Sequence, residues 1–177
     1  MLIDDRVCEC CPSAAAITAE GPIVAYRNRT ADEIRDIYVS RLVGGTWTEP
    51  RAVHNDNWRI AACPVNGPAL NARGRDVAIA WFTGVGDQGR VYAAFSSDAG
   101  ESFGPPVRVD DVSALGSVDV ELLADGSAAV TWIEFAEQRS AVRLRQANRN
   151  GSRSASLAVS PIASGRSSGY PRNGSRW

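Results

Sequence analysis

The chain contains no lysine; all 19 of its cationic side chains are arginine, against 20 Asp and Glu. The resulting net charge of -1 gives no overall electrostatic case for a nucleic-acid or membrane partner. There is one His and one Met in 177 residues. No run approaches the roughly 18 consecutive apolar residues of a transmembrane helix, so no membrane span is expected. The opening Met1-Leu-Ile-Asp-Asp-Arg-Val-Cys8 is too charged and too short for a signal peptide. No segment sustains a 3.6-residue apolar period, which argues against a helix-rich fold. Acids are missing from residues 138–177, which carry eight Arg, whereas residues 1–137 hold all 20 acids and 11 Arg. A basic, Ser-rich end suits an anion or nucleic acid, but it equally suits a solvated terminus. We read it as the latter and expect no nucleic-acid partner.

What the sequence does contain is enough apolar residue (44%) for a core, with 16 Gly, nine Pro and five Trp. It also repeats itself. Cys11-Pro12 and Cys63-Pro64 are 52 residues apart, Tyr26 and Trp81 are 55 apart, and Trp81 and Trp132 are 51 apart. Each unit holds four short runs rich in Val, Ile, Ala and aromatics, separated by Gly, Asn, Asp or Pro. Such runs read as strands, and four strands in about 50 residues match a propeller blade. The expected fold is all-β: about three four-stranded antiparallel blades. Residues 1–10 form a Cys-rich lead-in, 11–60, 61–116 and 117–160 the blades, and 161–177 the start of an incomplete fourth blade or a frayed tail. Trp47, Trp81 and Trp132 recur at blade-equivalent positions or close a turn, so they are expected in the core.

One turn is more specific. Ser96-Ser-Asp98-Ala-Gly100-Glu-Ser-Phe103 has an Asp that accepts backbone N–H groups across its own turn. It has a Gly for positive φ and an aromatic to plug the turn. The first unit has a degenerate copy, Ser40 to Trp47, with Leu42 where the Asp belongs; the third, Gln146 to Gly151, retains only a turn-like composition. This turn is an Asp-box, and by it and the repeat length the chain resembles the sialidase-like (BNR, Asp-box) β-propeller superfamily over nearly its whole length. Ser96, Asp98, Gly100 and Phe103 are therefore expected to be structural.

The resemblance implies a glycan-directed domain of exo-α-sialidase type, a glycoside hydrolase of terminal sialic acid. It also implies that strand 2–3 loops and inter-blade links share the active rim. Arg27 and Arg35 would bind the substrate carboxylate, as guanidinium forks do. Asp36 or Asp56 would be the acid, and Tyr170 or Glu134 would serve the nucleophile pair. Trp58 would stack on a sugar, with Arg59 beside it. The family's Arg-Ile-Pro opening motif is absent from this chain. Three blades fall short of a ring, so an isolated piece would be inactive, and its open edges offer a route to self-association. The parent protein would be extracytoplasmic (periplasmic or secreted). A non-enzymatic propeller scaffold for binding or assembly is the alternative, and a metal- or redox-handling propeller a third reading.

That third reading rests on Cys8, Cys10, Cys11 and Cys63. Cys11-Pro12 and Cys63-Pro64 open corresponding strands of adjacent blades, so the four sulfurs should gather near one end of the channel. A disulfide from Cys63 to Cys10 or Cys11, a thiolate site for Cu(I) or Zn, and free thiols are the three outcomes open. No other cofactor is expected, and His54 supplies the only imidazole.

Overall fold

The computed structural model describes residues 2–136 and 138–161. Among them there is no α-helix; thirteen strands and one 3-10 turn (Val85–Asp87) carry the regular structure. The first sheet holds β1 (Ala14–Thr18), β2 (Gly21–Arg27), β3 (Ile37–Val43), β4 (Thr46–Trp47) and β5 (Arg51–Ala52). The second holds β6 (Ala69–Arg73), β7 (Asp76–Thr83), β8 (Arg90–Ser96) and β9 (Val107–Arg108). The third holds β10 (Ala114–Leu122), β11 (Ala128–Ala136), β12 (Arg139–Ala147) and β13 (Leu157–Pro161). Every pair is antiparallel and the order follows the chain, so the protein is all-β with three successive up-and-down sheets.

Locally, turn chemistry sets these strands. Gly44 and Gly45, at φ 59° and 82°, form a two-residue hairpin between the paired Val43 and Thr46, the arrangement whose twist suits antiparallel strands. The outer strand of the first sheet comes in two pieces, β4 and β5, both on β3. Between them lies Pro50, which has no N–H to give to a ladder.

The middle sheet is buried on both faces, and the two-residue strand period explains how. From β7, Ile79 and Trp81 join Ile23, Ala25, Ile37 and Val39 of the first sheet in one core. The intervening Ala78 and Ala80 join Val120, Leu122, Val130 and Trp132 of the third sheet in another. Trp81 and Trp132 are 1% and 0% exposed, while Trp47 is only partly buried. The first strands of the sheets lie side by side: β1 neighbours β6, and β6 neighbours β10.

This stacking sorts the loops into two rims. One rim carries the tight turns: Ala19 N donates to Gly74 O (2.7 Å), Ala99 N to Arg75 O (2.8 Å), and Arg41 reaches both Glu20 and Glu101 (3.3 Å each). The other carries the long β2–β3 loop, the links between sheets and residues 2–13.

The Asp98 turn lies on the tight-turn rim. Asp98 Oδ1 accepts from Ser96 Oγ (2.6 Å) and Ser102 N (2.9 Å), and Oδ2 accepts from Ser102 Oγ (2.5 Å). Ser96 Oγ in turn accepts from Gly100 N at 2.9 Å. Gly100, at φ +81°, lies so close to Ile23 of the neighbouring sheet that a Cβ would collide with it. In the third sheet Asn150 does part of the same work, accepting from Ser152 N (2.9 Å) and Oγ (2.7 Å), but two residues on rather than four.

Partial burial would raise the Asp98 carboxyl, but the bonds from Ser102 and Ser96 outweigh it and hold the group down to about 2, below its ordinary 3.8. A depressed carboxylate stabilises the fold fully above 3.8, and that contribution is lost as pH falls through about 2. Asp98→Ala should therefore cost about 2 kcal/mol in urea denaturation at pH 7. It should also flatten the acid limb of stability between those two pH values. An unchanged acid limb would show that the Asp98 carboxylate is not held below its ordinary range in the fold.

Candidate functional site

The loop rim is built from residues 2–13, the β2–β3 loop, the link from β5 to β6, and the start of the β7–β8 connection. The first of these is tied down by Cys8 N donating to Arg27 O (2.9 Å) and by Tyr26 Oη donating to Asp4 (2.6 Å), and the loop by Arg35 N donating to Trp58 O (2.9 Å). Gly67 lies so near the Pro12 carbonyl that no side chain would fit there, so the link is clamped against the N-terminal segment.

Arg27, at the end of β2, is 1% exposed. Its guanidinium donates to three main-chain carbonyls, Asn66 O (2.7 Å), Arg35 O (2.5 Å) and Phe82 O (2.7 Å), and stands 5.0 Å over the Trp58 ring. Burial pulls its pKa down, opposed by the nearby Cys11, Cys8 and Asp56. Arg35, 5% exposed, donates to Ile60 O (3.0 Å), Cys8 Sγ (3.1 Å) and Glu33 Oε2 (2.8 Å). Asp36, 4% exposed, accepts from Asn57 N (3.1 Å) and Trp58 N (3.2 Å). These three groups are therefore engaged in holding loop to link.

Asp56 lies behind them and accepts from Trp81 Nε1 at 2.6 Å, with His54 Nε2 at 3.8 Å. Burial raises its carboxyl above the ordinary range, and the Asp36 charge adds to this, against the lowering effects of Trp81 and His54. Trp58 is buried: Arg27 covers one ring face, Phe82 meets it edge-on at 5.5 Å, and Gly84 presses on its six-membered ring. Only its margin reaches a groove of about 420 Å³, shared with Asn57, Arg59 and Asp87. Arg59 is exposed there.

Glu134 lies apart, at the end of β11. It is 1% exposed and accepts from Asp111 N (3.1 Å) and Trp132 Nε1 (3.3 Å), with Arg143 Nε 3.2 Å away. Tyr170 lies outside the described residues. The structure thus brings Arg27, Arg35, Asp36, Asp56, Trp58 and Arg59 together and places Glu134 at a separate link.

Two charged groups that the sequence reading did not single out complete that second link. Asp110, fully buried, accepts from Val91 N (2.7 Å) and Arg108 (2.6 Å). Arg145 donates to Val109 O (2.6 Å) and to Asp111 (2.8 and 2.9 Å). Aligning Val53 with Val109 sets Asp110 opposite His54, a usable signal for a link residue though not for its burial.

The sulfurs cluster on the same rim as Arg27. Cys10 and Cys63 form a disulfide closing a separation of 53 residues, with Cα atoms 6.2 Å apart. Cys8 Sγ lies 2.9 Å from Cys11 Sγ and 3.5 Å from Cys10 Sγ. Burial, then the contact with Cys8, pushes the Cys11 thiol up to about 11, against the lowering pull of Arg27. No protein-family model matches the chain, and comparison with curated proteins finds no match.

Proposed function

We propose that the three sheets are blades of a sialidase-like, Asp-box propeller and that the chain serves as a non-enzymatic scaffold for binding or assembly. Side-by-side first strands and loops sorted to two rims support the propeller reading. The scaffold reading is carried by one observation: Arg27, Arg35 and Asp36, the groups a sialic-acid site would turn outward, are buried and engaged within the chain, Arg27 and Asp36 by backbone and Arg35 by the Ile60 carbonyl, Cys8 and Glu33. A guanidinium already bound to three carbonyls does not form a fork for a ligand carboxylate. The Cys10–Cys63 disulfide supports an oxidising, extracytoplasmic setting.

A hydrolytic, glycan-directed reading has one feature in its favour. Asp56 is a buried carboxyl with a raised pKa, one position before Asn57 of the groove that holds Arg59, and buried carboxyls with raised pKa are a general form of catalytic acid. A fluorogenic sialoside assay tests the hydrolytic reading. The scaffold reading expects no turnover above buffer, and no difference between the native chain and Asp56→Asn. Turnover that Asp56→Asn abolishes, with the fold intact by circular dichroism, would establish the hydrolase instead.

A further inference from the structure

We propose that Cys8, Cys10 and Cys11 form a three-sulfur Cu(I) site, closed while Cys10 is bonded to Cys63 and opened by reduction of that disulfide. The three sulfurs lie within 4.8 Å of one another. With metal–thiolate bonds of about 2.3 Å, as at zinc, the sulfurs of a trigonal site sit about 4 Å apart, so metal entry opens the Cys8–Cys11 pair from 2.9 Å and the Cys8–Cys10 pair from 3.5 Å. The tight turn that places them is fixed by Cys11 N donating to Cys8 O at 3.1 Å.

The donor set selects the metal. The grouped ligands are three sulfurs, with no imidazole or carboxylate among them; thiolates suit Cu(I) and Zn alike, and a set of three suits Cu(I) better than the four-coordinate Zn. Cys8 is 3% exposed, so charge compensation matters. Three thiolates and Cu(I) leave two negative charges. Arg35, which Glu33 shares, donates to Cys8 Sγ at 3.1 Å. Arg27 adds a second cation whose hydrogen bonds all go to carbonyls. Cys63, by contrast, is exposed and comes from the distant link, which makes it the accessible partner for a reductant.

The chemistry balances with a dithiol as reductant. The Cys10–Cys63 S–S bond breaks and takes up two electrons and two protons, while the dithiol loses them and closes its own disulfide. Cu(I) then replaces the protons of Cys8, Cys10 and Cys11, which pass to solvent.

The test is an anaerobic Cu(I) titration of the full chain against bicinchoninate. Dithiothreitol is used for reduction and removed beforehand, and far-UV circular dichroism is recorded on every sample. One Cu(I) per reduced chain is expected, with affinity roughly 100-fold lower when the disulfide is intact, and a similar loss for reduced Cys8→Ser and Cys11→Ser. Cys63→Ala should bind one Cu(I) without any reductant, a gain that loss of structure does not explain when the spectrum is native. X-ray absorption should count three sulfurs. Several results would overturn the proposal: no binding by folded reduced protein, undiminished binding by Cys8→Ser, or no reductant-independent binding by Cys63→Ala. A site that prefers Zn(II) and requires Cys63 as fourth ligand would overturn it too.

Discussion

Arg27→Ala is expected to lower the unfolding free energy by about 3–4 kcal/mol. Three main-chain carbonyls, those of Asn66, Arg35 and Phe82, lose their donor together, and the Trp58 ring loses the cation above it. Each orphaned buried acceptor costs about 1–3 kcal/mol, reduced where water enters the space vacated. Arg27→Lys should recover only part of the loss, because one ammonium cannot reproduce a planar fork aimed at three separate acceptors. The urea midpoint measures this, with the slope checked for constancy. A shift equivalent to less than about 1 kcal/mol for Arg27→Ala would mean that the guanidinium is not the loop's anchor and is free for a ligand.

Glu134→Ala should be comparably severe, at about 2–4 kcal/mol, by a different route. The Asp111 N–H and the Trp132 indole N–H are left without their acceptor, and Arg143 loses the carboxylate beside it. Arg143 is 26% exposed on its side chain and can hydrate, so most of the loss comes from the two N–H donors, above all the buried Trp132 indole. Glu134→Gln keeps the shape and one carbonyl acceptor, so it should fall nearer 1–2 kcal/mol. That ordering, Ala worse than Gln in thermal and urea midpoints, is the signature of a structural carboxylate. A nucleophile would behave otherwise, with Gln and Ala equally inactive and stability nearly untouched.

Both variants concern residues whose chemical type is visible in the sequence and whose orientation is not. Arg27, Arg35 and Asp36 are prominent because charges flank the end of an apolar strand, and such residues at a loop rim suit an anion site. In the folded chain the loop doubles back, with Thr30 N donating to Ile34 O and Ile60 N to Glu33 O, both at 3.0 Å. This turns the arginines onto carbonyls of the next link, Asn66 O and Ile60 O, and sets Asp36 to accept from that link's Asn57 and Trp58 N–H groups. Trp58 illustrates the same limit. A Trp between Asn57 and Arg59 reads as exposed, but Gly84, from a segment 26 positions later, lies against its ring. No local pattern encodes that approach. The Asp98 turn is the opposite case: donors and acceptor lie within eight residues, so spacing alone predicts its hydrogen bonds.

The sequence on its own determined the all-β class, the threefold repeat and the tight turns, because strand periodicity, glycine φ and Asp or Asn side-chain bonds act over a few residues. Only the tertiary structure decided that Cys10 rather than Cys11 pairs with Cys63, and that two arginines face inward. It also decided that the sulfurs and Arg35 share one small volume. Those outcomes depend on how the links between sheets close over the rim. Contacts across about 50 residues are chosen by the packing of whole sheets, which the order of side chains along one strand does not express.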